Sequence, residues 1–421
     1  MHFFFAKRFL PLFITQFLGA FNDNFFKNAL VVLITYRLAA ESGMNSAMLV
    51  AAAAAIFILP YFLFSALSGQ LADKIERTRI ARAVKIAEII LMILASIGFY
   101  IGNIWFLLAV LFGMGVHSTF FGPIKYALLP QHLSKGELLP GNAAIEAGTF
   151  LSILLGTIAG GLLILQPNGD LLVTALLLLI AVIGLFSAMK IPTAPAPEPG
   201  LKIRYNLFTE TAKLIKSART DKPVFRAILG ISWFWFIGAT FLAQFPVYAK
   251  ESLNADASVV TFFLTVFSIG IGIGSFLCNA LAKGQVTLRY GFWALIGLSI
   301  FAFDLSLASA HPHIMANDDL INLKTFLQYK EHWRILVDLL GVAICGGVYI
   351  VPLYAFLQHK GDVSRMARLI AANNVMNALY MVSSAILLMV LAAIHLPIPQ
   401  IFLVVAGLNL LIALTTRRAS I

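Results

Sequence analysis

Five polar side chains crowd one apolar stretch near the start of the chain: Gln16, Asn22, Asp23, Asn24 and Lys27. Gln16 and Asp23 lie seven residues apart and Lys27 lies four beyond Asp23, so on a helix these three share one face. A second apolar stretch carries His117, Lys125 and Tyr126, with Pro123 two residues before the lysine. A carboxylate, two ammonium groups and several amides suit the capture of a polar or zwitterionic small molecule. Such groups are costly in hydrocarbon, so they are expected to face a central cavity. No metal-ligand spacing, nucleophile elbow or phosphate loop occurs, so no enzyme activity, cofactor or metal site is assigned.

Each residue also has a plainer role. Asp23 and Lys27 at i, i+4 could neutralise one another. Lys125 could pair permanently with Asp23, or reach water at the inner surface. His117 could be a hydrogen-bonded core residue. Glu88 and Glu146 are placed near the inner surface and Asp338 near the outer one, as solvated helix ends, with Asp304 deeper and ambiguous.

The elements that hold these residues follow from composition. Of 421 residues, 60% are hydrophobic and only 12% charged, whereas a soluble domain carries about 25% charged residues; a water-soluble enzyme is excluded. A bilayer core of ~30 Å needs about 20 apolar residues per helix. Twelve runs qualify: 9–36, 47–72, 83–101, 104–129, 142–165, 171–189, 224–249, 258–282, 290–310, 335–357, 369–394 and 398–415. The first is expected to be retained, because its polar residues do not fit a uniformly apolar signal peptide. Cys278 and Cys345 both lie in apolar runs and are expected to be inert thiols. The net charge of +11 is spread between apolar blocks and is not gathered on one water-facing surface, so nucleic acid is not expected as a partner.

Lys and Arg in short loops stay cytoplasmic. With the N-terminus inside, the inner segments hold 23 of the 30 basic residues, which predicts that both termini are cytoplasmic. The longest inner connection begins PTAPAPEPG (192–200) and continues as NLFTETAKLIKSARTDK, which reads as an extended proline-rich stretch and then a basic amphipathic helix on the inner leaflet. The expected organisation is a first six-helix bundle over 1–190, a cytoplasmic linker over 191–223 and a second bundle over 224–421. The outer connection 311–334 suggests a short surface helix.

The two halves echo one another. FFGPIKYALLPQ in span four is followed by an inner loop and GNAAIEAGTF, and YIVPLYAFLQHK in span ten is followed by RLIAANNVMN. Pro123 thus matches Pro352 and Asn142 matches Asn373, at spacings of 19 and 21 residues. A six-helix repeat is the plan of the major facilitator superfamily, whose halves rock to give alternating access. The expected fold is therefore all-α and polytopic, with twelve transmembrane helices in two pseudo-symmetric six-helix bundles. Between spans two and three, Gly69-Gln-Leu-Ala-Asp73-Lys-Ile-Glu-Arg77-Thr-Arg79 resembles the signature loop of that superfamily. Asp73 there is expected to accept hydrogen bonds at a helix N-terminus and latch one conformation, with Gly69, Arg77 and Arg79 in support; alternatively, the basic residues are topology charges only. The matching second-half loop, NALAKGQVTLRYG, lacks the aspartate.

QFLGAFNDNFFKNAL, the glycine–aspartate loop, FGPIKYALLPQHLSKGELLPGNAAIEAGTFLSILLGTIAGGLL and VPLYAFLQ together resemble the bacterial lysophospholipid transporter family. The resemblance covers most of the chain. It implies movement of lysophospholipids across the bacterial inner membrane for reacylation, with Asp23 and Lys125 in the polar cavity. Some members are fused to an acyltransferase; none is found in the sequence through Ile421, so a separate acyltransferase is the expected functional partner of a monomeric transporter. Some members carry an arginine in span seven, where this chain reads FIGATFLAQFP, with Gln244 as the strongly polar side chain. The residues themselves also fit an amphiphile, with lysines for a phosphate and 35 phenylalanines and 11 methionines for an acyl chain among membrane lipids. The alternative is proton-coupled export of a small organic molecule or metal chelate, with Asp23 carrying the proton. A non-transporting membrane scaffold is disfavoured by the intramembrane charges.

Overall fold

A computed structural model describes residues 3–38, 46–309, 320–361 and 365–418. Among the described residues there are twelve helices of eighteen residues or more. In the first half these are α1 (Leu10–Leu33), α2 (Ser46–Lys74), α3 (Arg77–Ile101), α4 (Ile104–His132), α5 (Leu138–Ile164) and α6 (Gly169–Met189). A twelve-residue helix, α7 (Leu207–Ala218), precedes α8 (Lys222–Val247), α9 (Ala257–Leu281) and α10 (Gly291–Ala308). The single-turn α11 (Leu323–Phe326) leads to α12 (Lys330–Lys360), α13 (Met366–Ala393) and α14 (Ile398–Arg418). The expected all-α polytopic fold is thus the observed one. Eleven helices are long and apolar enough to cross a membrane by composition alone; α1 is the exception, because it carries the polar run from Gln16 to Lys27.

Several helices outrun the apolar stretches that announce them. Helix α3 begins at Arg77 and α12 at Lys330, because Arg, Lys and Glu are good helix formers and a backbone ladder does not stop where the hydrocarbon does. Starts are fixed by side-chain caps: Asn103 Oδ1 accepts from Phe106 N at 3.0 Å, Asn206 from Thr209 N at 3.1 Å and Asp256 from Ser258 N at 2.8 Å. The short helix expected between 311 and 334 is α11, capped by Asn322 at 3.0 Å; residues 311–319 of that connection lie outside the described ones.

The chain packs as two compact units: 1–141, 151–228 and 357–378 in one, and 142–150, 229–356 and 379–421 in the other. In the first unit, α1, α3 and α6 enclose a core that includes Phe25, Phe26, Met92, Phe99 and Leu177. Small residues let the backbones close up. A Cβ added at Gly115 of α4 would lie 2.5 Å from Phe57 O of α2, and one at Gly160 of α5 would lie 2.4 Å from Phe25 O of α1. The second unit repeats the device, since a Cβ at Gly274 of α9 would lie 2.0 Å from Ile344 O of α12. Cys278 is buried there and Cys345 half-buried.

Candidate functional site

Two polar assemblies occupy the first unit, one inside the span region of α1, α3 and α4, the other at the loop after α2. The inner one starts on α1. Asn22, fully buried, donates from Nδ2 to Glu88 Oε1 at 2.8 Å and to Leu177 O at 3.1 Å. Glu88 on α3 also accepts from Lys85 Nζ at 2.5 Å, and His117 Nε2 on α4 lies 3.1 Å from its second oxygen. The other ring nitrogen of His117 is 4.0 Å from Asp23 Oδ1, and Ser118 Oγ donates to Asp23 Oδ2. One chain of contacts therefore runs Lys85, Glu88, His117, Asp23. Lys27 donates to Asn24 Oδ1 at 3.1 Å and its ammonium lies 5.3 Å from the Phe57 ring centroid. Gln16 is buried on the same helix.

This arrangement corrects part of the sequence reading. Glu88 is not a solvated helix end: it is fully buried, as are Glu146 and, at 2% exposure, Asp338. Lys85, counted among the basic residues of an inner loop, is fully buried too. Its stem runs past two glycines, since a Cβ at Gly19 would lie 2.8 Å from Nζ and one at Gly184 would lie 3.3 Å away. A buried lysine three residues before a glutamate, with glycines on facing helices, is the signal that could have revealed the pair. A charge count assigns every lysine to water and so misses it. Asp304, the ambiguous acid, pairs with Arg334 at 2.5 Å in the second unit.

Lys125 does not join Asp23, whose neighbours are Ser118 and His117. Its Nζ lies 4.8 Å from the Tyr126 ring centroid. Pro123 does not interrupt α4, which is continuous through Pro130. A proline cannot donate to the carbonyl four residues earlier, and both freed oxygens find side chains: Ser68 Oγ donates to Thr119 O at 3.1 Å, and Gln358 Nε2 to Tyr126 O at 3.3 Å. In the second unit Pro352 likewise sits inside α12, and Gln244 is half-buried on α8. Asn142 and Asn373 are both fully buried, in the second turn of α5 and about two turns into α13.

The second assembly gathers on Asp73, fully buried at the end of α2. Its Oδ2 accepts from Arg368 Nε near the start of α13, so its partner there is a guanidinium and not the backbone of a helix N-terminus. Arg77 Nη2 stands 3.6 Å from Oδ1 and its other nitrogens donate to Ala72 O at 3.3 Å and Ala127 O at 3.2 Å. Gly69 lets α13 approach: an added Cβ would lie 3.0 Å from Ala371 Cβ and 3.2 Å from Arg368 Cα. Arg79 stands apart, 76% exposed and paired with Glu76 at 2.9 Å, which is what a topology charge looks like.

The proline-rich stretch is bound to this loop. Glu198 accepts from Arg368 Nη2 at 2.7 Å, and its amide donates to Asp73 O at 2.8 Å. Thr78 Oγ1 donates to Pro192 O at 2.8 Å and Arg77 N to Ala194 O at 3.1 Å. Prolines offer carbonyls but no amides, so such a strand is rich in acceptors, and the start of α3 supplies donors to two of them. Arg368, Glu198 and this strap escaped the sequence reading because they lie far from Asp73 along the chain.

The Major Facilitator Superfamily profile matches residues 12–385. A protein named lysophospholipid transporter LplT from Escherichia coli O1:K1 is 28% identical over 369 residues, covering 85% of this chain and 82% of that one. Its namesake from Cronobacter sakazakii is 24% identical over 366 residues, covering 86% and 82%. Among solved structures, the human organic anion transporter MFSD10 superposes with a TM-score of 0.76 at 13% identity, covering 97% of this chain and 98% of that one. A bacterial homologue of the iron transporter ferroportin in the outward-facing state gives 0.66 at 15% identity, covering 96% and 97%. At such identities the two structures speak for the fold alone. The profile spans most of the chain and the helices agree with it, so the chain belongs to the Major Facilitator Superfamily and is a multi-pass membrane transporter.

Proposed function

We propose that this transporter moves lysophospholipids across the bacterial inner membrane by alternating access, both termini being cytoplasmic. The observation that carries the reading is Asp23. Its Oδ1 is buried and has no hydrogen-bond partner among the described residues, while Oδ2 accepts from Ser118 Oγ. A buried acceptor without a donor costs about 1–3 kcal/mol, a cost that a ligand donor would relieve. A headgroup ammonium is such a donor. The phosphate falls to a lysine, Lys27 or Lys125, each held against an aromatic ring. Asn22, Asn24, Gln16, His117 and Tyr126 orient these groups. The similarity to proteins named lysophospholipid transporters supports the substrate class. A separate acyltransferase consumes the product, and the transporter works as a monomer.

Reconstituted protein given labelled lysophosphatidylethanolamine tests this directly. Uptake that is lost in Asp23→Asn and indifferent to an uncoupler is the expected result; no uptake of any lysophospholipid sinks the proposal. One observation favours the second reading, proton-coupled export: His117 stands between two carboxylates, 3.1 Å from Glu88 and 4.0 Å from Asp23. Transport that collapses with an uncoupler, while Asp23→Asn still exchanges substrate, would select it.

A further inference from the structure

Beside the strap, on the side of α7, lies a cavity of about 600 Å³ within the first unit. Its size is that of a small-molecule site. Five cations line it, Lys202, Arg204, Lys213, Arg365 and Arg368, against two carboxylates, Glu210 and Asp221. Both acids are already engaged. Glu210 accepts from Lys213 at 2.8 Å and lies 4.0 Å from Arg204, and Asp221 Oδ1 accepts from Val224 N at 3.1 Å as a helix cap. Lys202 and Arg365 have no carboxylate partner among the described residues. Arg368 spends Nε on Asp73 and Nη2 on Glu198, which leaves Nη1 for a further acceptor.

The remaining wall combines the apolar Leu201, Leu214, Val224 and Leu369 with the polar Gln70, Ser217 and Thr220. Outside it, Tyr205 and Phe208 are 75% and 72% exposed, just before and within the first turn of α7. The buried stripe of α7, Thr211, Leu214 and Ala218, is turned to the protein, so these two aromatics are not serving its packing. Aromatic rings exposed beside a basic hollow match the water–lipid boundary, where rings and cations anchor together.

We propose that this cavity is a second site, distinct from the transport site, that takes the phosphate of an anionic lipid from the adjacent leaflet. Lys202, Arg365 and Arg368 Nη1 bind the phosphate oxygens, the apolar wall receives the glycerol end, and Tyr205 and Phe208 sit among the acyl chains. Because Arg368 also holds Asp73 through Nε and Glu198 through Nη2, a phosphate on Nη1 is bound by the same guanidinium that joins α13 to the loop after α2. The inference does not depend on what the transporter carries.

The test uses the purified full chain in discs of phosphatidylcholine, titrated with short-chain phosphatidic acid, short-chain phosphatidylcholine or inorganic phosphate, with binding followed by native mass spectrometry and thermal stability. Phosphatidic acid is expected to bind and the other two to bind at least about tenfold more weakly. Lys202→Glu with Arg365→Glu is expected to weaken phosphatidic acid by at least about tenfold, the loss of one or more charge-assisted bonds. Lys216→Glu, on α7 but outside the cavity, makes a like charge change and is expected to leave binding intact. Should the double charge reversal fail to fold, Lys202→Gln with Arg365→Gln gives the same comparison. Unchanged phosphatidic acid affinity in either double variant, or inorganic phosphate bound as tightly as the lipid, overturns the proposal.

Discussion

The two polar assemblies of the first unit are built from similar parts and differ in what they leave over. Around Asp73 each carboxylate oxygen faces a guanidinium, and Glu198 adds a second acid to Arg368 from the strap. Around Asp23 the charges are distributed along a chain: Lys85 is matched by Glu88, His117 bridges, and one oxygen of Asp23 is left over. The first assembly ties α2, α13 and the strap through paired side chains, which is what the proposed latch requires. The second holds side chains in place around an unfilled acceptor, which is what a ligand requires. Asp73 Oδ1 also lacks a hydrogen bond, but a guanidinium stands 3.6 Å from it, whereas Asp23 Oδ1 has the His117 ring at 4.0 Å; the difference teaches that an intramembrane carboxylate marks a binding site where no fixed cation stands opposite its free oxygen.

The largest expected effect lies in the pair that is fully satisfied. Lys85→Met strands a buried Glu88, and removing one partner of a buried ion pair costs about 3–5 kcal/mol. The unfolding temperature in detergent should drop steeply, and the double variant Lys85→Met, Glu88→Gln should recover most of it. If the single variant melts like the parent, the distinction between a structural pair and a binding carboxylate fails. Asp23→Asn should show the reverse pattern, with folding retained and lysophospholipid transport lost.

Next comes the latch proposed at Asp73. Asp73→Asn should shift the conformational balance by about 1–3 kcal/mol, lower transport and leave membrane insertion intact. Cysteine labelling from the two sides reads the shift. Arg368→Gln should do the same, and the double variant should add little to Arg368→Gln, because both substitutions remove the Asp73–Arg368 contact and only Arg368→Gln also frees Glu198; full additivity would mean that the two residues act separately. Gly69→Val places side-chain atoms against Arg368 Cα, which is backbone and cannot rotate away. A cost of about 1–3 kcal/mol is expected from such overpacking, again as a shift in labelling and not a loss of protein.

The smallest effect belongs to Arg79. Its exposed pair with Glu76 falls in the range of about 0–1 kcal/mol, so Arg79→Ala should transport and label as the parent does. A clear change in transport would return Arg79 to the latch.

Much of this was readable from the chain. Apolar runs and loop charges depend on composition over about twenty residues, and composition is local, so the helices fell close to where they were expected. The face shared by Asp23 and Lys27, the proline at 123 and the glycine–aspartate loop were readable for the same reason: each is a spacing within one helix or one turn. Partners were not. Arg368 lies 295 residues from Asp73, and Asn22 lies 66 residues from Glu88. Nothing in the local pattern names either match.

What the sequence by itself determined, then, is which segments enter the membrane and which residue types they carry there, because transfer into hydrocarbon is priced residue by residue. The tertiary structure alone decided which charges are cancelled. Whether Glu88 is solvated or buried, whether Lys125 meets Asp23, and whether PTAPAPEPG swings free or straps the loop depend on which helices abut and at what height. That is set by small-residue contacts such as Gly115 against Phe57 and Gly160 against Phe25, where a single methyl group would push two backbones apart.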